Sequence, residues 1–370
     1  MDKTTAAPFY NIDTTDVSGA NGSSYEVSND YDYDEYAELR KSLHIMSLII
    51  YCLVFVLGVL GNGVVIWVTR FKMKKTVSTV WFLNLAVADI LFIGFLPLSV
   101  TYTAMDFHWP FGRFMCKLHS TVSFLNMFAS VYILVVISVD RCVSVVWPVW
   151  AQNHRSVRKA SFVCLGVWIL ALILSTPYFI FRDIGPSYYN DDIIHCLYNF
   201  AFSDDYKTPS VIQLRQLRHQ AMIITVLLLG FVVPFTVILS CYVVIIHRFR
   251  RNHTLVRWSS RPFKIIPAVI TTFFLCFAPF HIMAVIELVN HMANHASETL
   301  HNVVAIGTPI AKSVACLNSS LNPLLYVFMG QNFKDNINKS ILNVLETVFQ
   351  DNVSYTYKKS TVTSRSHAAV

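Results

Sequence analysis

Residues 49–68 read Ile-Ile-Tyr-Cys-Leu-Val-Phe-Val-Leu-Gly-Val-Leu-Gly-Asn-Gly-Val-Val-Ile-Trp-Val, a run of apolar positions without Asp, Glu, Lys or Arg. A helix needs about 20 such residues to cross the hydrocarbon of a bilayer. Six more windows of the same kind follow, so the spans are expected at 44–69, 78–103, 113–139, 161–182, 219–247, 264–289 and 302–328. The composition agrees. Hydrophobic residues are 54% of the 370-residue chain and charged ones 14%, against about 25% charged in an ordinary soluble domain. The expected fold is an all-α integral membrane bundle of seven transmembrane helices with a short amphipathic helix on the cytoplasmic side.

Charge patterning sets the orientation. The net charge is +7, and the basic residues cluster beside apolar runs: Arg70, Lys72, Lys74 and Lys75 after span 1, Arg155, Arg158 and Lys159 after span 3, Arg248, Arg250, Arg251, Arg257 and Arg261 after span 5. Lys and Arg in short loops mark the cytoplasmic face. This predicts a plasma-membrane protein with the N-terminus outside, and it argues against a nucleic-acid partner, which would meet a basic patch on a soluble domain. The chain divides into an acidic extracellular tail (1–42), a seven-helix domain (43–329), an amphipathic surface helix (330–350) and a Ser/Thr-rich cytoplasmic tail (351–370). The polar residues after Met1 do not read as a leader, so the first span is expected to start translocation itself.

Eight cysteines show neither a CxxC pair nor a zinc spacing, so no metal site is expected beyond an ion in the polar core. Cys116 and Cys196 fall on the oxidising side. A bond between them pins the loop after span 4 across the bundle mouth; two free thiols is the other reading. Asp89 sits mid-span and needs a partner in the bundle interior. Asn126, Ser130, Asn318 and Asn322 fall at comparable depth, as an oxygen cage for a hard cation or as a hydrogen-bonded polar core. Glu287 and Lys312 can project into an outward cavity and meet a ligand, or pair with one another. Pro97, Pro177, Pro234, Pro279 and Pro323 interrupt helices.

These residues carry a resemblance. Gly61-Asn62, Leu85-Ala86-Val87-Ala88-Asp89, Asp140-Arg141-Cys142, Trp168, Pro234 with Tyr242, Phe273 with Pro279, and Asn322-Pro323-Leu324-Leu325-Tyr326 follow in the order of the rhodopsin-type (class A) G-protein-coupled receptors. Phe107-His108-Trp109-Pro110-Phe111-Gly112 and Pro148-Val149-Trp150-Ala151-Gln152-Asn153-His154-Arg155 are similar to chemoattractant receptors, with Phe181-Arg182-Asp183 leaning toward the chemerin-like group. Val226 stands where formyl-peptide receptors carry a basic residue, and Phe277 stands where the family usually has Trp.

The resemblance implies a signalling receptor, not an enzyme, for a chemerin-like peptide or protein, with a formyl-peptide receptor or a non-signalling decoy as alternatives and a transporter further off. It implies coupling to an inhibitory G protein and recruitment of arrestin by the phosphorylated tail. Asp89, Asn126, Ser130, Asn318 and Asn322 match the family's sodium site; no other cofactor is implied. Asp140, Arg141, Tyr242, Tyr326 and Pro323 match its activation switch. Val131, Pro234, Phe273, Phe277 and Pro279 match its core transmission residues. Glu287, Lys312, Ser123 and His281 are ligand candidates in the bundle. Tyr31, Tyr33 and Tyr36, set among acids, resemble sulfation sites that capture a basic partner, and Asn21 opens a glycosylation triplet.

Overall fold

The computed structural model describes residues 29–187, 192–202, 208–251, 262–292 and 298–329. The chain runs α1 (Asn29–Trp67), α2 (Val77–Ala104), α3 (Gly112–Val146), α4 (Pro148–His154), α5 (Val157–Phe181), β1 (Arg182–Pro186), β2 (Ile194–Tyr198), α6 (Pro209–Leu227), α7 (Val233–Arg251), α8 (Pro262–Met292) and α9 (Glu298–Met329). A π-turn at Val68–Lys72 ends α1, and a second at Leu228–Val232 fuses α6 and α7 into one rod. Each of the seven expected spans falls on these helices, with span 1 ending in the π-turn and span 4 overrunning α5 by Arg182. Among the described residues, six carry a window long and apolar enough to cross a membrane. The seventh expected span falls in α9, whose face toward the bundle holds Ser313, Asn318, Ser319, Ser320 and Asn322, all buried.

Three features depart from expectation. Helix α1 begins at Asn29, inside the tail expected through residue 42; acids there stand where the helix dipole favours negative charge, and Ala37, Glu38 and Leu39 are good helix formers. Helix α3 runs on to Val146 and is followed by the seven-residue helix α4, started by Pro148 at a position where a missing N–H costs nothing. The loop after α5 is an antiparallel hairpin pairing Arg182 with Tyr198 and Ile184 with Cys196. Asn21, the 330–350 helix and the 351–370 tail lie outside the described residues, as do the side chains of Tyr31, Tyr33, Tyr36 and Tyr326.

The bundle packs around α3, whose Phe128, Ala129, Val131, Ile133 and Leu134 are buried. Apolar residues on the other helices point outward, for example Leu60, Phe162, Ile173, Val243 and Leu275, each more than half exposed. That is the inside-out pattern of a rod set in lipid, where any free backbone group must find a partner within the protein. The prolines make this demand acute. Pro323 has no N–H for the carbonyl of Ser319, and Asn62 Nδ2 donates to that oxygen at 2.8 Å. Gly61 allows the approach, since a Cβ there would stand 2.9 Å from Pro323 Cβ. Near Pro234, Val233 N–H donates to Leu228 across the π-turn, which leaves the carbonyl of Leu229; Tyr132 Oη donates to it at 3.1 Å.

Replacing Tyr132 by Phe keeps the ring and removes that donor. The expected cost is about 1 kcal/mol, read as a lowered Tm of the purified protein. An unchanged Tm would mean that the π-turn does not depend on Tyr132.

Candidate functional site

The hairpin roofs one end of the bundle. Cys116 on α3 and Cys196 on β2 form a disulfide, and both are buried with Trp109 in one cluster. The segment before α3 is tied to the same strand: Trp109 N–H donates to Ile194 O at 2.7 Å, and Ile194 N–H donates to His108 Nδ1 at 3.1 Å. His195 Nδ1 lies 2.9 Å from the carbonyl of Phe107, and burial lowers its pKa although that contact opposes the shift. Asp106 and Phe107 take left-handed backbone with φ of 49° and 64°, an uncommon conformation for residues with a Cβ. Arg113 closes the edge with a 2.6 Å pair to Asp183.

Beneath the roof lies a cavity of about 180 Å³, lined by Tyr51, Phe92, Ser99, His119, Ser123, Phe124, Asn126, Arg182, Phe277, Phe280 and Lys312, among others. A second space of about 170 Å³ adjoins it through Tyr51, Ser99, His119, Ser120, Arg182 and Lys312 and reaches Trp109 and Cys196. A small side lobe beside Tyr178, Tyr198 and Glu287 also touches Lys312. Lys312 therefore borders all three spaces. Arg182 opens β1 and is buried; its Nη1 donates to Cys196 O at 3.0 Å, and its guanidinium lies 3.8 Å from the centre of the Tyr198 ring. On the other flank, Glu287 Oε1 lies 3.4 Å from His219 Nε2. The cavity thus carries two cations at its centre and a carboxylate to one side. Such an arrangement favours an anionic group entering between Arg182 and Lys312.

Of the ligand candidates, Ser123 and Lys312 line the main cavity, and Glu287 lines the side lobe. His281 is 2% exposed, its ring lies 4.7 Å from Phe231, and it borders the π-turn at Gly230. Helical periodicity cannot separate these outcomes, because both faces of a membrane helix are apolar. Arg182 escaped notice as a site residue because an arginine at a span end ordinarily reads as an interfacial anchor.

A polar core lies deeper. Asn322 Nδ2 donates to Asp89 Oδ2 at 2.9 Å, Asn126 Nδ2 to Ser319 Oγ at 3.2 Å, and Ser130 Oγ to Asn126 Oδ1 at 3.4 Å. Asp89 Oδ1, Asn318 Oδ1 and Asn322 Oδ1 are buried without a hydrogen-bond partner. Buried orphan oxygens beside a carboxylate are the donor set that a hard cation takes, so the expected sodium residues fit the ion. Ser319 joins them, and the sequence reading had passed over it.

At the far end, Asp140 binds the fork of Arg155 with two contacts of 2.7 Å, and Arg141 Nη2 donates to Ser78 Oγ at 2.6 Å. The bidentate partner of Asp140 comes from the segment after α4, where a planar guanidinium can meet both oxygens, and Asp140 also acts electrostatically on its neighbour Arg141. Tyr242 packs against the central core. Between the two ends, Phe277 lines the cavity floor and its ring lies tilted 4.5 Å from that of Phe273, which shares the buried core with Val131; Pro234 is buried on α7, and Pro279 lies within α8.

Residues 61–326 match the family of seven-transmembrane receptors of the rhodopsin type. The chain is 46% identical over 321 residues to rat Chemerin-like receptor 1, covering 85% of this chain and 84% of that one. It is 46% identical to the human protein of that name over 295 residues, 78% and 76% of the two chains. It is 41% identical to the C3a anaphylatoxin chemotactic receptor of Oncorhynchus mykiss over 317 residues, 85% and 82% of the two chains.

Losing the disulfide should free the roof. In Cys196→Ser, Tm should fall by an amount corresponding to about 2–5 kcal/mol, with the variant still inserted in the membrane; an unaltered Tm would show that the other hairpin contacts suffice. With its transmembrane helices, its roofed cavity and its polar core, the chain belongs to the rhodopsin family of seven-transmembrane receptors, as a multi-pass G-protein-coupled receptor of the chemoattractant group and not an enzyme.

Proposed function

We propose that this receptor responds to a chemerin-like peptide whose C-terminal carboxylate enters between Arg182 and Lys312, and that it signals through an inhibitory G protein. The observation that carries the reading is the paired cations in one cavity under a disulfide-pinned roof. A carboxylate reaching both side chains would gain charge-assisted hydrogen bonds, and a peptide terminus supplies one on a chain thin enough to pass the hairpin. The relatives' names support the ligand class. A C3a-type peptide is the second reading, favoured by the 41% identity to the trout receptor.

In this reading the hairpin end faces outside, as the basic loops suggest. Asn21 carries a glycan, and sulfated Tyr31, Tyr33 and Tyr36 attract a basic ligand surface and speed its capture. Binding must favour one helix arrangement over another to signal. The ring pair Phe277 and Phe273 would relay that preference toward Val131, Pro234 and the bend at Pro279. Arg141, Tyr242 and Tyr326 would then open the inner end to the G protein, and the phosphorylated tail would recruit arrestin. A sodium ion on Asp89, Asn126, Ser130, Asn318, Ser319 and Asn322 would supply positive charge to that core and hold the inactive arrangement.

In cells expressing the chain, a chemerin C-terminal peptide should inhibit cyclic-AMP production, and formyl peptide should not. Arg182→Gln or Lys312→Gln should each weaken binding of the free-acid peptide at least about thirtyfold, since truncating one partner of a buried charged pair costs about 2–5 kcal/mol. Amidating the peptide should cost the parent receptor a similar factor and add little to either variant. An amide that binds as tightly as the acid would sink the carboxylate assignment. Separately, sodium should lower agonist affinity in the parent and not in Asp89→Asn; retained sodium sensitivity would remove the ion from the site.

A further inference from the structure

Two helix stripes meet on the outside of the bundle below the hairpin. On α5 they are Leu174, Pro177, Tyr178 and Phe181; on α6, Arg218, Ala221, Met222 and Thr225. Each set follows the i, i+3, i+4, i+7 spacing of one helix face. Between them lies a groove of about 210 Å³. Its depth has a cause in sequence. Pro177 interrupts the α5 ladder, and Ala221 and Thr225 are too small to fill the space opposite. Ile173 on α5 and Leu217 and Ile224 on α6 are exposed beside it, so the groove opens where the membrane lies.

Two polar groups line it. Arg218 donates to Phe200 O at 2.7 Å and lies over the Phe202 ring at 4.8 Å and the Phe181 ring at 5.9 Å, but it has no carboxylate partner among the described residues. It stands one position before the hydrocarbon stretch expected from residue 219, which is headgroup depth. Tyr178 is 2% exposed, and its Oη has no hydrogen-bond partner.

We infer that this groove binds a single-chain fatty acid from the surrounding leaflet, with its carboxylate on Arg218 and its chain along Pro177, Ala221, Met222 and Thr225. A guanidinium at the interface selects an anionic head over a sterol hydroxyl. The volume is below the roughly 300–1,000 Å³ of ordinary ligand pockets, so it holds part of one chain and excludes the paired chains of a phospholipid. Tyr178 also lines the side lobe of the peptide cavity and stacks on Phe124 at 3.4 Å. A chain lying against the outer side of Tyr178 therefore steadies a wall of that cavity.

The test uses the full chain in nanodiscs with photoreactive palmitic acid, its methyl ester, photoreactive cholesterol and a photoreactive phosphatidic acid, with labelled peptides mapped by mass spectrometry. The acid should label the 174–181 and 218–225 segments. Arg218→Gln should reduce that labelling about tenfold. Ala221→Phe, which fills the groove and keeps the arginine, should reduce it as much. Both variants should reach the cell surface as the parent does; should one not, the other decides. Equal labelling by acid and ester, undiminished labelling in the variants, or stronger labelling by cholesterol or phosphatidic acid would overturn the assignment. None of these outcomes depends on the identity of the peptide ligand.

Discussion

Every bend in this bundle creates a backbone carbonyl that lipid cannot satisfy, and the architecture is organised around answering those carbonyls. A proline removes one donor and a π-turn shifts the rest by one residue, so each leaves an oxygen that would cost free energy in hydrocarbon. Two of the answers come from other helices. Asn62 on α1 reaches the oxygen freed by Pro323 on α9, and Tyr132 on α3 reaches the oxygen left at the α6–α7 π-turn. Each is both a helix–helix contact and a repair, so breaking it loses the contact and exposes the flaw.

The same constraint gathers the polar core. Pro323 brings Asn62 to Ser319; Ser319 Oγ accepts from Asn126, and Asn322, next to the proline, donates to Asp89. The buried carboxylate is thus surrounded by groups that a bent α9 requires in any case. An ion in that cage would act on the segment that must move if Pro323 is a hinge. Packing, polar satisfaction and a control point then share one set of atoms.

How far the sequence discloses this depends on which force decides each feature. The spans were legible because hydrocarbon imposes a length and a composition that residues 49–68 display outright. The Asp89 cluster was legible for the same reason: a carboxylate in an apolar run demands partners. Asp140 shows the limit. The motif places Asp140 beside Arg141, but it does not report the bidentate geometry supplied by Arg155, fifteen residues on. The β1–β2 hairpin was illegible because strand pairing depends on register between segments, and Arg182-Asp183-Ile184-Gly185-Pro186 has little intrinsic strand character. The burial of His281 against the π-turn was not legible either, because it is settled by rotation of α8, which periodicity in an all-apolar helix does not report.

Phe277 bears on how the cavity can speak to the core. Its ring lines the floor near Asn126 and lies 4.5 Å from Phe273. The tryptophan usual at this position in similar receptors brings an indole N–H, a donor able to bond to the polar groups below. Phenylalanine has none. The link from ligand cavity to Phe273 is therefore made by shape and dispersion, which fall off steeply with small gaps and carry no preferred hydrogen-bonded state. A floor of that kind resists little and responds to volume. In the proposed function, coupling would rest on how fully the ligand fills the space above Phe277, and the charges at Arg182 and Lys312 would hold it there.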